Sequence, residues 1–260
     1  MSMFRRSTQP ADQPLAPTPA PTGSGAAISL EKVQQTAPAL VSLYKTAGVS
    51  LQKKGLTGQR AAVYLVLDRS GSMRPYYRDG SVQHLAEQAL GLSAQLDDDG
   101  TVPVVFFDSR AHTPIEVSLT DYQGRIDREH EVLGAMGTTN YAAAMRAVID
   151  HYRSSGAKDP AFVIFQTDGS PDNRTAAERV LCDAADLSIH WVFVGFGSDR
   201  FDFLRKLDDL KVPNKRVVDN ATFFAAGRDP KGMADGDLYD QLMAEYPDWL
   251  ADATAKGIVR

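Results

Sequence analysis

From residue 61 onward, short continuous apolar runs alternate with stretches whose apolar residues recur at helical spacing. The runs fall at residues 61–67, 102–107, 161–166 and 189–196, and the amphipathic stretches at 82–96, 141–152, 176–187 and 201–210. A second apolar string at 113–119 reads as a hairpin-like return from the run before it. The runs are rich in Val, Ile and Phe and lack polar alternation, which is how strands buried on both faces read. Runs and helices in alternation predict an α/β fold: a doubly wound, mainly parallel central sheet flanked by helices, with one antiparallel edge strand. In such a sheet ligands gather outside the carboxyl ends of the strands. The loops after Leu67, Phe107, Gln166 and Phe196 are therefore the places to look for chemistry.

The flanks read differently. Pro10, Pro14, Pro17, Pro19 and Pro21 stand among Ala, Thr, Gln and Gly, too few apolar side chains to offset the entropy of ordering. Residues 1–27 are expected to be a disordered tail and 28–58 an N-terminal helical extension. Leu40, Leu43, Tyr44 and Ala47 fall at helical spacing, with Pro38 near that helix's start and Thr36 as its cap. The main domain is expected over 59–228 and a C-terminal helical segment over 229–260, where 235–255 reads as one more helix interrupted by Pro247.

Composition narrows the function. The 260 residues carry 28 basic and 33 acidic side chains, a net charge of -5, with no basic stripe suited to phosphates. The apolar runs fall far short of the roughly 20 residues a spanning helix needs. Arg5 and Arg6 are followed by Ser7, Thr8, Gln9 and Pro10, not by an apolar export segment, so cytoplasmic residence is expected. With Cys182 the single cysteine, a disulfide framework and a cysteine-built zinc site are both ruled out.

The first apolar run ends in Asp68, Arg69, Ser70, Gly71 and Ser72. A carboxylate and two hydroxyls at alternate positions can converge on one point, with Gly71 supplying freedom to turn. A hard divalent cation wants such a set: Mg²⁺ takes about six oxygens at roughly 2.0–2.1 Å and keeps several waters. Ser, Asp and Gly also populate inert turns, so the string alone leaves both readings open. Two more strings bear on it. Gly137, Thr138, Thr139, Asn140 and Tyr141 precede a helix, and Thr167, Asp168 and Gly169 end a later run, both in loops at the same predicted sheet edge as Asp68.

In this order and spacing the three strings resemble the von Willebrand factor A (VWA) domain with its metal-ion-dependent adhesion site, over roughly residues 60–225. Residues 63–73, 104–108, 217–220 and 223–227 are similar to the bacterial tellurium-resistance branch of that family. The resemblance implies a Rossmann-like VWA fold in which Ser70, Ser72 and Thr139 coordinate Mg²⁺ directly. Asp68 and Asp168 then bind it directly or through water, and Mn²⁺ or Ca²⁺ are substitutes. It further implies a free coordination position that accepts an Asp or Glu carboxylate from a protein partner. Few direct anionic ligands leave the ion electrophilic, which favours that arrival. Thr138 competes with Thr139 for its role, and the family's Thr-Asn order favours Thr139. Arg69 departs from the small or apolar residue common there, and its cation either weakens the site or points away.

Arg74, Tyr76 and Tyr77 beside this loop are candidate partner-binding residues, since Arg and Tyr anchor interfaces; the alternative is that the tyrosines pack under the loop. Asp172 either lines the same rim or caps the next helix. Other signals are weaker. The five histidines show no pair at ligand spacing. Asp97, Asp98 and Asp99 lack the later ligands of a calcium loop and read as a solvated turn. Cys182 reads as core packing.

The leading expectation is a non-enzymatic, Mg²⁺-dependent protein-binding module in a cytoplasmic tellurium, toxic-ion or envelope stress-response complex, with no nucleic acid and no membrane insertion. One alternative is an accessory VWA subunit of an ATPase, since the chain has no phosphate-loop string of its own. Another is a Mg²⁺-dependent phosphohydrolase, which wants a second carboxylate two positions after Asp68, where Ser70 stands.

Overall fold

The computed structural model describes residues 25–212 and 214–259. Most of the expected N-terminal tail, residues 1–24, lies outside the described residues. In chain order the elements are α1 (Leu30–Thr36), α2 (Val41–Lys53), β1 (Ala62–Asp68), α3 (Arg74–Arg78), α4 (Ser81–Leu96), β2 (Thr101–Phe107), β3 (Ile115–Ser118) and α5 (Arg125–Leu133). They continue with α6 (Tyr141–Ser155), β4 (Ala161–Thr167), α7 (Arg174–Asp183), β5 (Ile189–Phe196), α8 (Asp202–Asp208), β6 (Ala221–Gly227), α9 (Asp235–Leu242) and α10 (Tyr246–Ala255).

The strands form one sheet in the order β3-β2-β1-β4-β5-β6. All neighbours are parallel except β3, which runs antiparallel to β2 at the edge. Both faces are covered, which is why β4 and β5 are buried along their whole length. Side chains of a strand alternate between faces. Val63, Leu65 and Leu67 of β1 therefore join a core with α2, α4, α9 and α10, while Tyr64 and Val66 join the opposite core with α6, α7 and α8. Chain direction reverses at the centre: β2 lies on one side of β1 and β4 on the other. The loops leaving β1 and β4 part there, at the topological switch point where open α/β sheets bind ligands.

The N-terminal helices share the first core. The backbone amides of Ala27 and Ile28 donate to the carbonyls of Gln95 and Ala94, and the Tyr44 hydroxyl donates to the Ile28 carbonyl at 2.8 Å. Gly91 lets α2 cross α4 closely, since a Cβ there would lie 2.9 Å from the Leu43 Cβ. On the same face the Tyr239 hydroxyl of α9 reaches the Gln88 carbonyl at 2.9 Å.

Three local expectations are corrected. Thr36 does not cap the helix that follows Pro38: it ends α1, and its hydroxyl turns back to the Lys32 carbonyl. Pro38 instead opens a 3-10 turn that runs directly into α2 without a side-chain cap. The segment 235–255 is two helices broken around Met243–Glu245, and Pro247 sits in the first turn of α10, where its missing N–H costs nothing. Helix α5 was not expected, because Ile126 is the single buried residue of that otherwise polar helix.

Candidate metal centre

Strand β1 delivers Asp68 to the sheet's carboxyl edge fully buried, and the chain then turns through Ser70 into a short 3-10 turn, Gly71–Met73. The Asp68 carboxylate is held from two sides. Its Oδ1 accepts from the Ser70 amide at 2.6 Å, and its Oδ2 accepts from the Thr167 hydroxyl, at the end of β4, at 2.7 Å. The Ser70 and Ser72 hydroxyls lie 3.1 Å apart, and the Ser72 hydroxyl donates to Asp168 Oδ1 at 3.0 Å. One string of oxygens thus runs from the β1 loop to the β4 loop. Burial pushes the Asp68 carboxyl up to about 7, with the neighbouring Asp168 adding to the shift and hydrogen bonds opposing it. Burial raises Asp168 as well.

The third loop joins by backbone pairing. The Gly137 amide donates to the Arg69 carbonyl at 3.3 Å, and the Gly71 amide donates to the Gly137 carbonyl at 3.2 Å. Asp172 brackets Thr139: its carboxylate accepts from the Thr139 amide at 3.0 Å and its own amide donates to the Thr139 carbonyl at 2.9 Å. Helix capping falls to Asn173, whose side chain accepts from the Ala176 amide. Asn140 caps α6 in the same manner through the Ala143 amide. Thr138 is turned to another partner, its hydroxyl lying 3.1 Å from that of Ser109, while Thr139 is half-buried in the bracketed loop.

Arg69 points away from these oxygens. Its fully buried guanidinium pairs with Asp108 Oδ2 at 3.1 Å and donates to the Gly134 carbonyl at 2.7 Å and to His130 Nδ1 at 3.2 Å. Accepting that bond fixes His130 as the neutral tautomer protonated on Nε2, consistent with burial and Arg69 lowering its pKa. Tyr77 stacks on His130, ring centroids 4.0 Å apart, and its hydroxyl donates to the Asp68 carbonyl at 2.9 Å. Tyr77 is buried there, so the surface role expected of it does not fit this placement. Tyr76 is half-buried against Phe196, and Arg74 is exposed. Thr167 stands in the same string as Asp168, but the sequence assigns it no role of its own. It links Asp68 to the Tyr141 hydroxyl, which lies 2.9 Å from the Thr167 hydroxyl.

The donor set suits a small hard cation. Adjacent ligands of an octahedral Mg²⁺ stand about 2.9 Å apart, given oxygens at 2.0–2.1 Å. The Ser70, Ser72 and Asp168 oxygens already stand at 3.0–3.1 Å in sequence.

Comparison with known proteins agrees with this architecture. The family described as the VWA domain found in the TerF C terminus matches residues 60–259. Protein YcbR of Bacillus subtilis (strain 168) is 37% identical over 220 residues, which cover 83% of this chain and 88% of that protein. Among solved structures, proximal thread matrix protein 1 from the mussel byssus aligns at a TM-score of 0.50 with 13% identity, over 71% of this chain and 47% of that one. Manganese-loaded TRAP protein of Plasmodium vivax aligns at a TM-score of 0.49 with 20% identity, over 71% of this chain and 72% of its own. The chain spans about half the length of the byssus protein. Fold, family match and relative converge: the chain belongs to the TerF-like von Willebrand A family.

Proposed function

We propose that the chain is a non-enzymatic protein-binding module whose site holds a divalent cation, Mg²⁺ in the first place with Mn²⁺ or Ca²⁺ as substitutes. Ser70, Ser72 and Thr139 would hold it directly, with Asp68 and Asp168 in direct or water-mediated contact. The ion would supply a positive centre for an Asp or Glu side chain of a partner protein. The single observation that carries this reading is the oxygen string from Asp68 and Ser70 through Ser72 to Asp168, drawn from two loops and closed by the bracketed Thr139 loop.

This chain's own residues prepare the site in two ways. Thr167 and the Ser70 amide orient the Asp68 carboxylate. Three of the five oxygen donors are neutral hydroxyls, so the cation keeps more of its charge for an incoming carboxylate than in an all-carboxylate cage. Arg74 and Tyr76 would serve as contacts for that partner. Asp172 serves the site from behind, through the Thr139 backbone.

The family's TerF name favours a tellurium, toxic-ion or envelope stress-response setting inside the cell. No helix among the described residues is long and apolar enough to cross a membrane. The test is capture of partners on the immobilised full chain, with and without chelator, beside Asp68→Ala. Partners released by chelator and lost with Asp68→Ala support the reading; capture indifferent to both would refute metal bridging.

A further inference from the structure

We infer that Arg69 is a positioning residue for Thr139, its buried guanidinium fixing the third oxygen-bearing loop against the first. The inference rests on the metal-binding reading above and assigns the residue that departs from the family pattern. A cation one residue from Asp68 would oppose a bound metal if it faced the site. Instead, its ion pair and the hydrogen bonds it donates lie on the far side of the loop, toward Asp108, His130 and Gly134.

Two elements meet at that guanidinium, the end of β2 and the last turn of α5. Asp108, at the end of β2, takes Nη1 on Oδ2 at 3.1 Å and shares that oxygen with His112 Nε2 at 3.0 Å. Gly134, at the end of α5, takes Nη2 on its carbonyl at 2.7 Å. His130 of α5 takes Nε on Nδ1 at 3.2 Å and lies flat on Tyr77, which holds the Asp68 carbonyl. A planar fork satisfies such partners at fixed angles, which an ammonium on a flexible stem does not.

The segment between Gly134 and Thr139 is therefore pinned at both ends of its path. It leaves from the carbonyl Arg69 holds, and it arrives where the Asp108 carbonyl accepts the Asn140 amide at 2.8 Å. Midway, Gly137 pairs with the backbone of Arg69 and Gly71 and presses against Asp108, where a Cβ would lie 3.0 Å from the Asp108 Cβ. Asp108 thus meets Arg69 with its side chain and the Thr139 loop with its backbone. Releasing Asp108 and Gly134 together would free the loop that presents Thr139 without touching any of the five oxygen donors.

The test compares two fully buried arginines. Arg216 also lies at 0% side-chain exposure, with Asp219 and the carbonyls of Asp208 and Leu210 as partners before β6. Arg69→Met and Arg216→Met are each titrated with Mn²⁺ by calorimetry beside the full wild-type chain, and amide hydrogen exchange is followed at residues 137–140. The expected result is Mn²⁺ binding weakened about 10- to 100-fold in Arg69→Met, the scale of losing an outer support of a metal site, and unchanged within about two-fold in Arg216→Met. Exchange at 137–140 should quicken in Arg69→Met alone. Equal Mn²⁺ affinities in the two variants, or exchange at 137–140 as slow as in wild type, would overturn the inference. Arg69→Lys, which keeps the charge against Asp108 and loses the fork, carries the same test if Arg69→Met does not fold. If the wild-type chain binds no Mn²⁺, the metal-binding reading fails, and the exchange measurement alone decides whether Arg69 holds the loop.

Discussion

Two groups of carboxylates sit at opposite ends of the same sheet. Asp68 and Asp168 stand at the carboxyl ends of β1 and β4, and Asp97, Asp98 and Asp99 form the turn between α4 and the amino end of β2. The second group is the richer in charge, and its three carboxylates come within 4.8 Å of one another. Burial raises a carboxyl at both ends, Asp68 to about 7 and Asp97 to about 6. Neither charge density nor a shifted pKa therefore separates the two. What separates them is construction. The first group draws oxygens from loops far apart in sequence and interleaves them with hydroxyls; the second is one contiguous turn with no hydroxyl between its carboxylates and with Asp98 and Asp99 exposed. A small cation is better served by fixed, mixed donors than by flexible like charges that repel.

The largest effect expected from this contrast is in metal affinity. Asp168→Ala should weaken Mn²⁺ binding by about 100-fold or more by calorimetric titration, the upper scale for damage to a metal site. Asp98→Ala and Asp99→Ala should leave that affinity unchanged, and a comparable loss there would move the centre to the other end of the sheet.

Next in size is the response to pH. Asp68 binds its proton more tightly folded than unfolded, so the stability it lends is present below the unfolded value of 3.8 and is lost as pH rises through about 7. The metal-free chain should therefore gain stability from Asp68 on acidification across that window, and Mn²⁺ affinity should fall with it, because the proton competes for the carboxylate. Asp97 has the same sign over a window ending near 6. Denaturant melts of Asp68→Asn and Asp97→Asn as a function of pH check both: each should flatten its own window, and only Asp68→Asn should alter the pH dependence of Mn²⁺ binding. His190, buried and pushed down to about 3, acts oppositely and costs stability as pH falls below 6.5.

A smaller effect is expected at Tyr77. Tyr77→Phe removes the bond to the Asp68 carbonyl while keeping the stack on His130, and should cost about 1 kcal/mol in chemical denaturation. A loss below the measurement error would mean that bond does not steady the loop. Smallest of all, Asp99→Asn in the exposed turn should change stability by no more than about 0.5 kcal/mol.

How much of this was legible in the chain follows from the range of the contacts involved. The strands could be read because burial on both faces leaves continuous apolar runs, as in β4 and β5. Asp68, Ser70, Ser72, Thr139 and Asp168 could be singled out through the VWA resemblance that their three short strings carry, and the structure brings those strings to one edge. Helix α5 escaped because a helix resting on Ile126 alone leaves almost no periodic signal. The direction of Arg69 escaped for a different reason: its partners lie 39, 61 and 65 positions away, and no local pattern announces them. Tyr76 and Tyr77 differ by one helical step, enough to bury one ring and leave the other half-covered.

The central claim is that the Asp68 edge holds a divalent cation poised for a partner carboxylate. Its most direct test is calorimetric titration of Mg²⁺ and Mn²⁺ into the full chain, Asp68→Ala and Thr139→Ala, with and without acetate in place of the partner's carboxylate. The account predicts saturable binding to the wild-type chain that tightens with acetate and is lost in both variants. Binding that persists in both variants, or no binding under either condition, would contradict it.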